Sequence, residues 1–407
     1  MTQPSNGAAS RNPGPPTSVR SKTAAQFERD FGENLLQAVD LKSWDVGTDM
    51  APEYERIQVE VRDAVKRETA VQTSIREIVF PELSKRRDKP RRGGNYQATA
   101  DDLAAIHRGL LFNGGVEACD GHMKVHSTVP LTIYQIGVSM VSYQGQQGAW
   151  RQRLFRRDLR QQFDDPVEEA LALLEGRARQ GLDQEGSGGL LQQTLLQYAE
   201  RAILLDRSDA VWRMGHGNPV TYELLTGGGC IELMEASLNM LRRMVEDMRY
   251  FVFVASEPRE QVLLTIGSAL RPFEFAIVQS LRERIKGWLH QNRFDVEGGA
   301  MLKWGTESLP APQWIPRFID EVASQIVVGV FRASEVAPPL VFYAHEDHAD
   351  VAAHIAIADG MLQGPRGSPL LLDLARHVGR AVFGQGLNEL TESAYASAGA
   401  PWRYRHG

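Results

Sequence analysis

Apolar positions along the chain change their period several times, and those changes divide it into elements. Residues 1–24 (MTQPSNGAASRNPGPPTSVRSKTA) carry almost no apolar side chains among their Pro, Ser, Gly and Asn. Such a segment cannot bury enough surface to offset the entropy of ordering, so a flexible tail is expected. From Ala25 to about Leu83 the pattern turns helical. Between Pro52 and Ile78, Tyr54, Ile57, Val61 and Val65 recur at spacings of three and four with charges between them, which predicts a long helix. Residues 84–95 (SKRRDKPRRGGN) place six Lys/Arg in twelve positions, as a solvated linker or a phosphate-contacting arm would.

After about Gln97 the pattern is that of a mixed α/β domain. Val116 to His126, Pro130 to Tyr143 and Trp150 to Arg157 read as three successive strands, with hairpin breaks at Ser127–Thr128 and Gln144–Gly148. Helices are expected over Pro166 to Gln180 and Leu190 to Glu200. The wholly apolar run Ala202 to Leu205 (AILL) reads as a central strand covered on both faces. A helix from Ile231 to Met248, a buried strand from Tyr250 to Ala255 and a helical stretch from Arg259 to His290 follow. Strands at Ile326 to Phe331 and Leu340 to Ala344 then precede helices at Asp347 to Met361 and Ser368 to Phe383. The organisation expected is a tail (1–24), a helical extension with a basic linker (25–95), one catalytic-sized domain (96–390) and a C-terminal tail (391–407).

Composition narrows the function classes. The 407 residues are 43% hydrophobic, enough for a sizeable core. Lys and Arg number 45 against 51 Asp and Glu, a net charge of −6 that excludes a histone-like basic coat while leaving room for a local basic groove. Two cysteines, Cys119 and Cys230, exclude a disulfide scaffold and a four-cysteine zinc site, and fit a reducing compartment. No run of about 18 apolar residues is present for a membrane span, and the first residues lack an apolar signal core. A soluble, cytoplasmic protein is expected, with no membrane partner.

Two acids stand out by position. Asp120 follows the strand-like VEAC and precedes Gly121; Asp206 ends AILL. Open α/β sheets place ligand contacts at the carboxyl ends of their strands. A carboxylate buried there is costly unless something positive compensates it, commonly a divalent cation. The order strand-Asp, strand, strand, helix, strand-Asp is that of an RNase-H-like mixed sheet with flanking helices. In that fold two aspartates and a helical Glu bind a pair of Mg²⁺ or Mn²⁺ ions about 3.5–4 Å apart for phosphodiester hydrolysis.

At this point the residues resemble a known family. VEACDGHMKVHSTVPLTIYQIGVSMVSY resembles the first motif of NurA-type nucleases, and AILLDRSD is similar to their second. FVFVASEP and IVVGVFRA look like their later core strands, and GSPLLLDLARHVGRAVFG resembles their C-terminal helix; the similarity runs from about Asp101 to Phe383. The resemblance implies a metal-dependent nuclease acting on DNA ends or single strands with Mn²⁺ or Mg²⁺. It further implies a homodimer working with a HerA-type hexameric ATPase in DNA end processing or defence. Carried over by position, Asp120 and Asp206 match the metal-binding aspartates, while Arg207 stands where the family has Gly. The family's catalytic Glu lies about 20 residues before the second aspartate. Glu185 falls in that window, or an unidentified acid serves; the helix itself offers Gln192 and Gln193, and Glu200 reads as a solvated-face residue. Ser368 replaces the family's Tyr, and His377 (or Arg376) takes the place of its helical His, to shuttle a proton or contact phosphate. Arg151, Arg153, Arg156, Arg157 and Arg160, with Arg207, are expected to line a DNA path.

Other constellations compete. Asp120, His122 and His126 have the even spacing that turns strand side chains to one face. His345, His348 and His354 could suit zinc, which would make the protein a hydrolase of another kind. No Gly-x-Ser-x-Gly elbow is present, and Gly227–Gly229 lacks the Lys-Ser/Thr of a phosphate loop. Trp402 and Tyr404, interleaved with Arg403 and Arg405, offer single-strand stacking or a frayed tail. The alternative function is a catalytically weakened NurA-like scaffold that docks on the ATPase and guides DNA.

Overall fold

The apolar runs after residue 94 assemble into one nine-stranded sheet flanked by helices. The computed structural model describes residues 23–44, 51–127, 131–145, 147–156, 166–175, 184–256, 260–291 and 301–401. The chain divides into two compact units, residues 1–68 and 69–407. In the first, α1 (Ala24–Phe31) has a Thr23 capping box, and α2 (Leu35–Val39) is capped by Asn34. The expected long helix is α3 (Ala51–Ser74), which continues through a widened π-helical turn (Ile75–Val79) into α4 (Phe80–Lys85). Tyr54, Ile57, Val61 and Val65, the apolar stripe that predicts α3, are all more than half exposed.

The second unit begins its sheet with β1 (Gly94–Gln97), followed by α5 (Ala100–Ile106). A three-stranded meander comes next: β2 (Val116–Ser127), β3 (Thr132–Val141) and β4 (Gln147–Arg156). Helices α6 (Pro166–Leu174) and α7 (Gln184–Arg207) lead to β5 (Trp212–His216). Helices α8 (Tyr222–Thr226) and α9 (Ile231–Glu246) precede β6 (Phe251–Ala255), α10 (Gln261–Ser268) and β7 (Glu274–Ser280). After α11 (Arg282–Gln291), β8 (Met301–Trp304) and β9 (Glu307–Pro310) form a separate small hairpin under α12 (Ala311–Glu321). Strands β10 (Ile326–Phe331) and β11 (Leu340–His345) then lead to α13 (Ala349–Gly360) and α14 (Leu370–Ser397).

The sheet order is β1-β7-β10-β11-β6-β5-β2-β3-β4. Its half β4-β3-β2-β5-β6 is an antiparallel meander joined to two strands parallel to β2. Numbered within that half, the order is 3-2-1-4-5 with strand 2 reversed, which is the RNase-H-like arrangement the sequence predicts. Both sheet faces are covered. Phe251 and Phe253 of β6 join the core under α7, α9 and α11, while Val252 and Val254 join the core under α5, α13 and α14. Alternate residues of a doubly covered strand are all apolar for this reason.

Three expectations change. Ala202–Leu205 is not a strand but the last turns of α7. Four apolar residues fit a buried helix turn as well as a strand, and here the helix before them simply continues. The strand after it is β5, whose WRMGH has little β-branched character. The helical stretch expected over Arg259 to His290 is broken by β7, whose EFAIV lies in the sheet core. The basic segment 84–95 is tied down by its own chain: Arg91 pairs with Asp347 and Arg92 with Asp350 at the start of α13. No described helix is long and apolar enough to cross a membrane.

Candidate active site

The site forms where β5 stops pairing with β2. The parallel ladder ends at Cys119–Gly215, which leaves His216 level with Asp120 and the next β2 N–H, that of Gly121, without a strand partner on that side. The carboxylate of Glu200, from α7, packs against Gly121 on that side instead, and the N–H there lowers its pKa. The approach is close: a Cβ on Gly121 would lie 2.2 Å from Glu200 Oε1, so only glycine fits. Glu200 is then fixed from behind by Arg201. The guanidinium of this buried arginine donates to Glu200 (3.2 Å) and to the carbonyls of Gln197 (2.9 Å), Asn218 (2.6 Å) and Pro219 (2.9 Å). It also lies over the Phe253 ring, 5.5 Å from the centroid. Arg201 therefore pins the loop after β5 to α7 and neutralises Glu200 in one arrangement.

Asp120 alternates to the other face of β2, under α14. Its side chain is only 10% exposed, and Arg376 Nε lies 3.6 Å from its carboxylate. Ser139, its cross-strand partner on β3, donates to the Ala375 carbonyl (2.6 Å), and Gln135 donates to the Phe383 carbonyl (2.9 Å), which sets α14 along the meander. The start of α14 is held by Asp359, whose carboxylate accepts the Leu371 N–H (2.9 Å) and the Tyr143 hydroxyl. Arg380, one turn beyond Arg376, also acts on Asp120. His122, two residues along the strand from Asp120, lies beside Gly379 of the same helix.

Electrostatics follow from burial first. Burial first, and then the negative Glu200, raise the Asp120 carboxyl to about 7 against the opposing pull of Arg376 and Arg380. Glu200 is likewise pushed up by burial, against the pull of Arg201 and the Gly121 N–H. His122 is pushed down by burial and by the cations Lys124 and Arg380. Two acids and a cluster of cations thus meet on opposite sides of one strand, at its open edge.

The sequence-predicted residues are partly dispersed. Asp206 ends α7, half exposed, and takes a 2.6 Å bond from Arg243; it does not face Asp120. Arg207 beside it is exposed. Glu185 sits at the beginning of α7, and its side chain lies outside the described residues. Fifteen residues of helix separate it from Glu200, about 22 Å at the usual rise, so the two do not share one site. Glu200, expected on a solvated face, is the acid that reaches β2. On α14 it is Arg376 that faces Asp120, while His377 is exposed. Arg151 is exposed, and Arg153 is half-buried with its Nε on Gln135 (2.8 Å). The side chain of Arg156 and all of Arg157 and Arg160 lie outside the described residues, as do Trp402 to Arg405. The signal that would have found Glu200 is Gly121 itself, since a glycine inside a strand marks a close approach by another group.

The histidine sets do not gather. His345 is a buried N-terminal cap that accepts the Asp347 N–H (3.2 Å), and burial lowers it to about 4. His348 packs on Tyr250, and His354 binds the Asp350 carbonyl (2.6 Å). His126 meets Tyr395 edge-on. Among the described residues no three His, Cys, Asp or Glu side chains stand close enough to cage a metal ion. The carboxylates of Asp120 and Glu200 therefore do not suit a closed cage or the expected pair of ions. Each is nonetheless a hard oxygen donor of the kind that Mg²⁺ or Mn²⁺ takes, one or two to an ion, with water and phosphate completing the shell.

No family model matches the chain, and no curated protein matches it. Among solved structures it is similar to the NurA nuclease from Sulfolobus solfataricus, at 9% identity and a TM-score of 0.43, over 87% of this chain and 100% of that one. It is also similar to NurA bound to dAMP and manganese, at 9% identity and a TM-score of 0.39, over 89% of this chain and 99% of that one. The chemistry of this chain rests on its own residues.

Proposed function

We propose that the protein is a divalent-cation-dependent nuclease that hydrolyses phosphodiester bonds of DNA, with Asp120 and Glu200 as its acidic pair. One observation carries this reading: two largely buried carboxylates flank β2 at Asp120–Gly121, near enough for the charge of Glu200 to raise Asp120, and burial pushes both upward. In this reading Asp120 and Glu200 would hold one Mn²⁺ or Mg²⁺, which would supply an activated water and charge withdrawal from the phosphate. Glu200 is held against Gly121 and paired with Arg201. Arg376 and Arg380 supply the planar, charged donors that orient a phosphate. His216, hydrogen-bonded to Ser256 (2.7 Å), borders the opening from β5. Arg151 and His377 are exposed and available to a passing strand. A homodimer and a HerA-type ATPase partner in the cytoplasm, working in end processing or defence, belong to the same proposal.

Purified protein incubated with end-labelled single- and double-stranded DNA tests it. Cleavage in Mn²⁺ that stops with chelator, with Asp120→Asn and with Glu200→Gln is the expected result; cleavage indifferent to both substitutions contradicts it. A second reading, the DNA-guiding scaffold, is favoured by His216 standing level with Asp120 where another acid would complete a two-ion site. Salt-dependent DNA binding with no hydrolysis in any divalent cation would select that reading.

A further inference from the structure

Two arginines of the second unit are tied in by several short hydrogen bonds. Arg201 gives four hydrogen bonds, and Arg76 makes a two-pronged bond to Glu274 (2.6 and 3.0 Å); both are built in. Arg376 is different. Among the described residues its guanidinium makes two ion pairs, at 3.6 Å to Asp120 and 3.8 Å to Asp373, both longer than an ordinary hydrogen bond, and its side chain is 29% exposed. Asp373 is already engaged by Gln363 (2.7 Å) and Arg366 (2.9 Å). The backbone beneath is anchored, because Ser139 holds the carbonyl of Ala375 next door. A swing of Arg376 therefore needs only its side chain to move.

We propose that Arg376 guards the Asp120 carboxylate, excluding a divalent cation until a nucleic-acid phosphate draws the guanidinium away. The inference rests on the cation-dependent reading above and adds an order to it: strand first, metal second. A guanidinium and a divalent cation compete for the same carboxylate oxygens. A phosphate diester offers Arg376 a planar two-oxygen partner, for which the guanidinium fork is better shaped than for a long single contact. Once Arg376 turns to the phosphate, Asp120 is free on its exposed side and the phosphate can complete the cation's shell. Strand and cation then strengthen each other's binding by the same factor.

Calorimetric titration of the full chain with Mn²⁺, alone and with a saturating cleavage-resistant phosphorothioate single strand, tests the guard once the strand's own Mn²⁺ uptake is subtracted. The wild type should bind Mn²⁺ about tenfold or more tightly with the strand than without it. Arg376→Gln should bind Mn²⁺ about tenfold more tightly than the wild type in the absence of the strand, and should gain nothing from adding it. Arg376→Lys, which keeps a cation over Asp120, should restore weak strand-free binding. Equal Mn²⁺ affinity of the wild type with and without the strand, or an undiminished gain in Arg376→Gln, overturns the guard while leaving the acidic pair in place. Failure of every form to bind Mn²⁺ overturns the guard and the cation-dependent reading together.

Discussion

The two faces of β2 hold one acid each, and they hold them differently. On the α7 face Glu200 is locked: a glycine N–H, a buried arginine and three carbonyls fix the carboxylate and the loop after β5 as one unit. On the α14 face Asp120 is opposed by one loosely held arginine at 3.6 Å. The difference teaches which parts are scaffold and which are working parts. A cation enclosed by saturated hydrogen bonds cannot leave without unfolding its surroundings, whereas one that makes only long contacts can be exchanged for a ligand.

Substitutions should separate the faces. Losing either acid, by Asp120→Asn or Glu200→Gln, should lower DNA cleavage by about 10³-fold, the loss of several kcal/mol of transition-state stabilisation, in single-turnover assays. Arg201→Met should act on stability, lowering it by about 3–5 kcal/mol in urea unfolding, because Glu200 is left buried and unpaired. Arg376→Gln should leave the urea midpoint almost unmoved, a change on the order of 0.5 kcal/mol, as expected of a partly exposed ion pair. A drop in stability as large as that of Arg201→Met would erase the contrast. At the small end, Asp206→Asn should change neither cleavage nor stability by a measurable amount, since its pair with Arg243 is half exposed.

The anchor of α14 adds a pH dependence. Burial raises Asp359 to about 6 from its ordinary 3.8, against the bonds from Tyr143 and Leu371 and with Asp373 adding to the rise. The folded state therefore holds a proton that the unfolded chain has released. This contribution is fully present below about pH 4, is lost as pH rises to about 6 and is flat above, a span of roughly 2–3 kcal/mol. Urea midpoints measured across that range should fall with rising pH in the wild type, and less steeply in Asp359→Asn. An equal slope in both would remove Asp359 from the account.

Much of this architecture was legible in the sequence. The meander is long and strongly patterned and β10 and β11 are continuous apolar runs, so these strands were legible from period, while the fourth strand of the RNase-H-like order was expected at Ala202–Leu205 and lies instead at Trp212–His216. Asp120 was singled out as an acid following the strand-like VEAC and preceding a glycine, although β2 runs on past it to Ser127. The second half of the site was not. AILL is too short for periodicity to tell a helix from a strand, and placing a strand there made Asp206 its end and set Glu200 aside. The true strand, WRMGH, carries Arg, Gly and His among five residues and gives little signal. Arg376 was named only as the alternative to His377, and Arg201 was hidden, because the meaning of each lies in what it touches across the fold.

Anomalous diffraction from crystals soaked in Mn²⁺ together with a cleavage-resistant strand is the most direct measurement. A single manganese peak at the Gly121 edge, within bonding distance of Asp120 and Glu200 and with Arg376 turned onto a phosphate, is the predicted result. Manganese bound at Asp206, or density in which Arg376 still covers Asp120 and no ion is seen, would contradict it.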